Sequence, residues 1–285
     1  MTAKVQEATG MGIDPHLLQD LLHKARTRGA TAGDALLAEN VAFDVEVRLG
    51  EVEKIQHSHQ KRLGLRLFFG QRSATTSTAD LSAASLEHLL DDTCALAQAM
   101  AEDSCAGLPE PEATMAAVLE LHLWDDALDR LPVEERTAMA RAAERAALDY
   151  DARITNSEGG EYSSSQAHVF YANSHGFMGH YRAGSVSLSV TSIASEGNGM
   201  QRDYWFSAAR KLDRLQAPAT IGREAARRAL RRLGARQVAT QKVPVVFDPA
   251  TASGLLGHLC TAVSGSALYR GVSFPLGQLG ERIAP

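Results

Sequence analysis

The stretch GLLGHLCTAVSG, residues 254–265, puts a histidine into an apolar segment just after a helix-start signal, Asp248–Pro249. A histidine on such a helix raises the question of zinc hydrolysis. That chemistry needs a second histidine one turn on and a glutamate to activate the metal-bound water, as in H-E-x-x-H. Here position 257 is Gly, 261 is Thr and 262 is Ala. Leu255, Leu256, Leu259 and Val263 form an apolar stripe. At 100° per residue, His258 lies roughly 120° from the centre of that stripe, on its flank. One imidazole does not make a three-ligand site, so the residues alone read as a packing or channel-lining helix.

Other residue types that carry chemistry are scattered. His57 and His59, in HSH, would share a face if their segment is a strand, but no carboxylate or third ligand stands near them in sequence. Ser174 and His175 are adjacent in ANSHGF. In a strand, neighbours point to opposite faces, which argues against a serine–histidine nucleophile pair. His168 and His180 belong to segments that read as strands and turns. Arg202, Asp203 and Tyr204 in MQRDYW, together with His175, are polar groups beside strands, suited to hydrogen-bonding an extended peptide or contacting a subunit. Arg223, Arg227, Arg228, Arg231 and Arg232 make a basic helix face, tempered by Glu224. G-x-S-x-G, Walker and G-x-G-x-x-G motifs are absent.

The elements that must position these groups follow from periodicity. Residues 14–28 read as a helix, with Asp14 as cap, Pro15 in the first turn and Gly29 at its end. Val41, Phe43, Val45 and Val47 alternate with polar residues, as in a half-buried strand; 62–69 and 71–79 continue as strands about Gly70. Helices follow at 82–101 and 133–149. From 151 to 210 the chain alternates as a meander, clearest in GSVSLSVTSI. After Pro218 come the arginine-rich helix, a short buried strand at KVPVVFD and the helix containing His258. Val243, Val245, Val246 and Phe247 leave that strand no polar side, and such strands are normally covered on both faces. The order predicts an α+β fold with segregated sheets: an N-terminal domain at 1–217 and, from 218 to 285, the start of a second, β-rich domain. No internal repeat shows in the sequence.

Composition narrows the partners. Net charge is −5 and the pI about 6.1, so there is no global basic excess for nucleic acid or anionic lipid. No apolar run is long enough to span a membrane, and the N-terminus lacks the apolar core of a signal peptide. Cys94, Cys105 and Cys260 have no CxxC spacing and read as free thiols in a reducing cytoplasm.

ANSHGF, MQRDYW, IGREAARRAL and QKVPVVFDP, in this order, resemble the TldD/PmbA family, once labelled modulators of DNA gyrase. The resemblance covers nearly the whole chain. In the family's protease-type member the helix after the corresponding strand carries H-E-x-x-x-H, which binds zinc. A spacing of five is about 140° on an ideal helix, so that site needs a locally unwound helix. Laid on this sequence, the motif's positions are Gly257, His258 and Ala262, and all three chemical groups are missing. The resemblance therefore implies a PmbA/TldE-type subunit without catalytic residues or metal of its own. It implies a TldD-type metalloprotease partner carrying the zinc, or a second copy of the chain, and small or unfolded peptides as substrate. Nucleic acid and membrane are not expected partners. The family's old label leaves a nucleic-acid or gyrase-associated binding protein as the alternative. Family members also continue beyond the equivalent of Pro285, which implies a C-terminally shortened chain.

Overall fold

The computed structural model describes residues 16–111 and 120–283; Asp14 and Pro15 lie outside them. The chain forms two compact units, Met1–Ala235 and Arg236–Pro285. In the first, α1 (His16–Thr27) leads into β1 (Ala32–Arg48), β2 (Glu51–Phe69) and β3 (Arg72–Thr78), followed by α2 (Ala83–Ala99). A single-turn helix, α3 (Ala127–Arg130), and α4 (Val133–Leu148) precede β4 (Ile154–Asn173), β5 (Met178–Glu196) and β6 (Gly199–Ala209), and α5 (Pro218–Arg231) closes the unit.

The strands form one antiparallel sheet in the order β3-β2-β1-β4-β5-β6. The two expected strand groups are therefore not segregated. They join where β1 pairs with β4, from Asp34↔Asn173 to Val47↔Gly160. Each half has the same order: helix, three-stranded meander, helix. This structural duplication left no sequence repeat, because topology constrains only which positions are apolar.

Along β1, one face is buried at Ala35 and Leu37 and again at Phe43, Val45 and Val47. The first group packs under α1 and α2 with Leu63, Leu65 and Leu67 of β2. The second packs under α3, α4 and α5 with Val186, Leu188 and Val190 of β5. All the helical cover thus lies on one face of the sheet, in two patches towards opposite ends of the long strands. The other face carries no helix among the described residues of this unit.

The second patch depends on small residues. α5 buries Ile221, Gly222, Ala225, Ala226 and Ala229, and α4 buries Ala140, Ala143 and Ala147. Gly160 lies under α4 so closely that a Cβ there would come 2.5 Å from the Ala140 carbonyl oxygen. Because α5 is packed in this way, the compact unit runs to Ala235 and not to 217, where the sequence suggested a boundary.

In the second unit, α6 (Pro249–Ala262) starts as expected, with the Asp248 carboxylate accepting from Ala250 N at 3.0 Å. α7 (Gly265–Tyr269) follows. The predicted strand at KVPVVFD is not formed: 242–248 has no regular structure, and Val246 is 96% exposed. A strand needs a neighbour for its backbone N–H and C=O groups. This unit offers none among its described residues, so the apolar pattern alone does not make a strand.

Candidate functional site

Between the two helical patches, on the helix-bearing face, the sheet carries a polar seam. Lys61, Glu39, His168 and Arg182 stand side by side on β2, β1, β4 and β5 in cross-strand register. Glu39 is 3% exposed and His168 is 4% exposed. The Glu39 carboxylate takes both His59 Nε2, at 2.5 Å, and Lys61 Nζ, at 3.2 Å, on Oε1. HSH is thus part of a strand as expected, and the carboxylate missing nearby in sequence arrives from β1.

His168 Nε2 lies 3.2 Å from His180 Nδ1, and the Arg182 guanidinium lies 4.5 Å from the centre of the Trp124 ring. Glu39 Oε2, His168 Nδ1 and Gln166 Nε2 are buried without a protein partner. Burial holds the His168 pKa down at about 4, helped by His180 and Arg182, while Glu39 opposes the shift. Among the described residues, no group of three or more His, Cys, Asp or Glu is arranged to hold a metal.

The neutral His168 has a consequence for stability. In the unfolded chain its pKa returns to 6.5, so between about 6.5 and about 4 the unfolded state binds the proton more readily. Stability from this group is complete above pH 6.5 and is lost as the pH falls towards 4. Urea titrations across that range are expected to show a falling midpoint in the parent chain. The fall should be smaller in His168→Gln; equal slopes in the two proteins would refute the assignment.

The helix-free face is different in character. In its middle it carries small side chains in neighbouring positions: Ala38, Asn40 and Ala42 on β1, and Ala167 and Ser165 on β4. Towards one end, Arg66 makes two bonds to the Asp34 carboxylate, and Tyr171 Oη donates to Asp34 Oδ2 at 3.1 Å. Towards the other end, Glu46 pairs in register with Glu161 and with Lys54, and the Ser163 hydroxyl donates to Asp44. Burial, and then the charges of Asp44 and Glu46, push the Glu161 carboxyl above its usual range.

The four residues selected from the sequence for peptide or subunit contact do not come together. His175 lies in the β4–β5 turn, beside a cavity of about 170 Å³ that is also lined by Leu22, Arg26 and Gly33. Its neighbour Ser174 is not in a strand; its hydroxyl accepts from Gly33 N at 3.1 Å, and Asn173 Oδ1 accepts from His175 N and Phe177 N. These bonds build the turn. Arg202, Asp203 and Tyr204 lie on β6, which pairs with the opposite end of β5. They divide between the faces. Asp203 points to the helix side, with Arg232 at 3.7 Å and Arg228 at 3.8 Å. Tyr204 is exposed on the other face, stacked with Phe206, and Arg202 pairs with Glu158.

The arginine-rich helix is largely committed within the fold. Arg227 makes two bonds to Glu224, and Arg228 lies over the Trp205 ring as well as against Asp203. In the second unit Gly257, His258 and Ala262 lie on α6, which has no buried residue. Gly257 and Ala262 bring no ligand atoms in their side chains, and the single imidazole of His258 does not make a three-ligand zinc site.

A six-stranded antiparallel sheet with helices packed on one face is the architecture that the comparisons with known proteins match. The chain matches, in order, PmbA/TldA metallopeptidase domain 1 over residues 33–97, the central domain over 126–233 and the C-terminal domain over 240–285. It is 31% identical to the Metalloprotease PmbA homolog of Haemophilus influenzae over 91% of its own length, and 34% identical to Metalloprotease PmbA of Escherichia coli O157:H7 over 88%. The chain belongs to the PmbA/TldD family. It spans only 57% and 56% of the length of these two relatives. A crystal structure described as a modulator of DNA gyrase, from Bacteroides thetaiotaomicron, superposes with a TM-score of 0.86 at 28% identity, covering 94% of this chain and 61% of that one. TldE from Thermococcus kodakarensis shares the fold, with a TM-score of 0.76 at 16% identity, over 91% of this chain and 57% of its own. No helix among the described residues is long and apolar enough to cross a membrane.

Proposed function

We propose that the chain works as a non-catalytic, PmbA/TldE-like subunit of a cytoplasmic metallopeptidase complex, paired with a TldD-type subunit that carries the zinc. In this reading the two subunits enclose a chamber in which small or unfolded peptides are cleaved. The present chain supplies wall and peptide contacts, and the partner supplies the activated water. The observation that carries the reading is the side-chain chemistry at Gly257, His258 and Ala262, the positions of the family's zinc motif. A metal-bound water must lose a proton to a carboxylate before it attacks a peptide carbonyl. These positions provide neither the ligands nor the base.

The expected result is no cleavage of an unfolded peptide by the purified chain alone, with well under one zinc per molecule, and cleavage when a protease-type partner is added. Activity of the chain by itself that disappears in His258→Ala would overturn the proposal. The basic face of α5 gives less support to nucleic-acid binding than its sequence suggested, because Glu224 and Asp203 already face its arginines.

A further inference from the structure

The cavity of about 170 Å³ beside His175 lies where the end of α1 meets the start of β1 and the β4–β5 turn. A water molecule takes up about 30 Å³ in the liquid, so this space holds more than one bound water. No acidic residue lines it, and the polar groups that do are donors in need of an acceptor. Arg26 makes no hydrogen bond or ion pair among the described residues. Its neighbours Lys24 and Arg28 are both matched by carboxylates of α2, Glu87 and Asp91, which leaves Arg26 as the uncompensated charge. The Ser174 hydroxyl already accepts from Gly33 N at 3.1 Å, so what it still offers is its proton. The His175 ring has no partner among the described residues. Groups that would repel an anion are already occupied. Ala25 O accepts from Ala30 N, Arg26 O accepts from Gly29 N, and Thr31 Oγ1 accepts from Gly70 N. Leu22, Ala25 and Ala30 add apolar side chains to the lining.

We infer that this cavity binds a small aliphatic carboxylate, with its head at Arg26, Ser174 and His175 and its tail against Leu22, Ala25 and Ala30. A guanidinium presents paired N–H groups in one plane, which match the two oxygens of a carboxylate. The serine hydroxyl and one imidazole N–H supply further donors to the same oxygens. A neutral alcohol or amide would leave the guanidinium charge unanswered. A phosphate would answer it, but it would turn oxygens towards the apolar side chains and leave them without donors. The donor-rich end and the apolar end together therefore select a carboxylate with a short hydrocarbon tail. The site is separate from the positions of the zinc motif, and the inference does not depend on the subunit role proposed above.

The test is titration of the full chain with butyrate, butyramide and inorganic phosphate at constant ionic strength, followed in amide NMR spectra. Butyrate is expected to produce saturable shifts at Ser174 and His175. Butyramide, which keeps the shape and loses the charge, should bind about fivefold more weakly, the scale of one exposed ion pair. Phosphate should also bind more weakly than butyrate. Arg26→Gln should weaken butyrate about fivefold and abolish its advantage over butyramide, while Arg223→Gln, an equal change of charge on α5, should leave binding unchanged. Equal binding of butyrate and butyramide, or equal losses in the two arginine variants, would show that Arg26 does not read the charge and would overturn the inference. Tighter binding of phosphate would overturn the assignment to carboxylates. Absence of a saturable shift at Ser174 and His175 would overturn the site itself.

Discussion

Gly222→Ala is expected to destabilise the first unit more than almost any other single-methyl change, by about 3 kcal/mol or more. A Cβ on Gly222 would stand far inside the van der Waals contact distance of the Ala143 carbonyl oxygen and 2.9 Å from Ala147 N. Both are backbone atoms of α4, and neither can rotate away as a side-chain tip does. The only relief is to slide α5 off α4, which opens the cluster of Ile221, Ala225, Ala226 and Ala229 over the sheet. Alanine is the better helix former by about 1 kcal/mol, so intrinsic propensity works against the predicted sign, and the steric term must exceed it. Gly234→Ala is not an equivalent control, since its φ of 70° strains any side chain. Gly254, in α6 with no atom within 4 Å of a built Cβ, is the proper one. Thermal melts should show a large loss for Gly222→Ala and no loss for Gly254→Ala. A Gly222→Ala protein melting within a degree or two of the parent would mean that the helices are not packed this closely.

How far the sequence could reveal this arrangement varies with the physical origin of each element. The alternation of Val41, Phe43, Val45 and Val47 is legible because α4 covers one side of that stretch and water the other. The same strand is illegible from Ala32 to Asn40, because Glu39 occupies a core-facing position and breaks the apolar period. Most of the first half of β2, Glu51–Lys61, is exposed on both faces and held mainly by backbone pairing with β1, so it has no periodicity to read. The polar seam draws Glu39, His59, His168 and Arg182 from segments far apart in the chain, and only the register of the β1–β2, β1–β4 and β4–β5 pairs aligns them. KVPVVFD shows the opposite case: a strong strand pattern without a neighbouring strand among the described residues of its unit. The basic face of α5 was visible in the sequence, but the Asp203 carboxylate across from it was not.

The second large effect is expected at Glu144. It is 1% exposed, and its two oxygens accept from Leu49 N at 2.8 Å and Gly50 N at 3.0 Å. These are the residues of the β1–β2 turn, with φ of 50° and 84°. Positive φ at both positions is what a type I′ turn requires, and glycine meets it freely while leucine does not. Leu49 is therefore held in an unfavourable conformation by something outside the turn. The Glu144 carboxylate does this, assisted by Arg141, whose Nε donates to Gly50 O at 2.8 Å. Glu144→Ala leaves two N–H donors without their acceptor, at a cost of about 2–4 kcal/mol that the relaxing turn offsets only in part. Glu144→Gln keeps one acceptor but turns N–H groups towards a backbone donor, so it should recover only part of the loss. The decisive measurement is a double substitution. With Leu49→Gly already in place there is no strain left to release, and the further cost of Glu144→Ala should grow by about 1 kcal/mol in urea unfolding. Strictly additive losses would show that the carboxylate merely fills space beside the turn and does not hold Leu49 in its left-handed conformation.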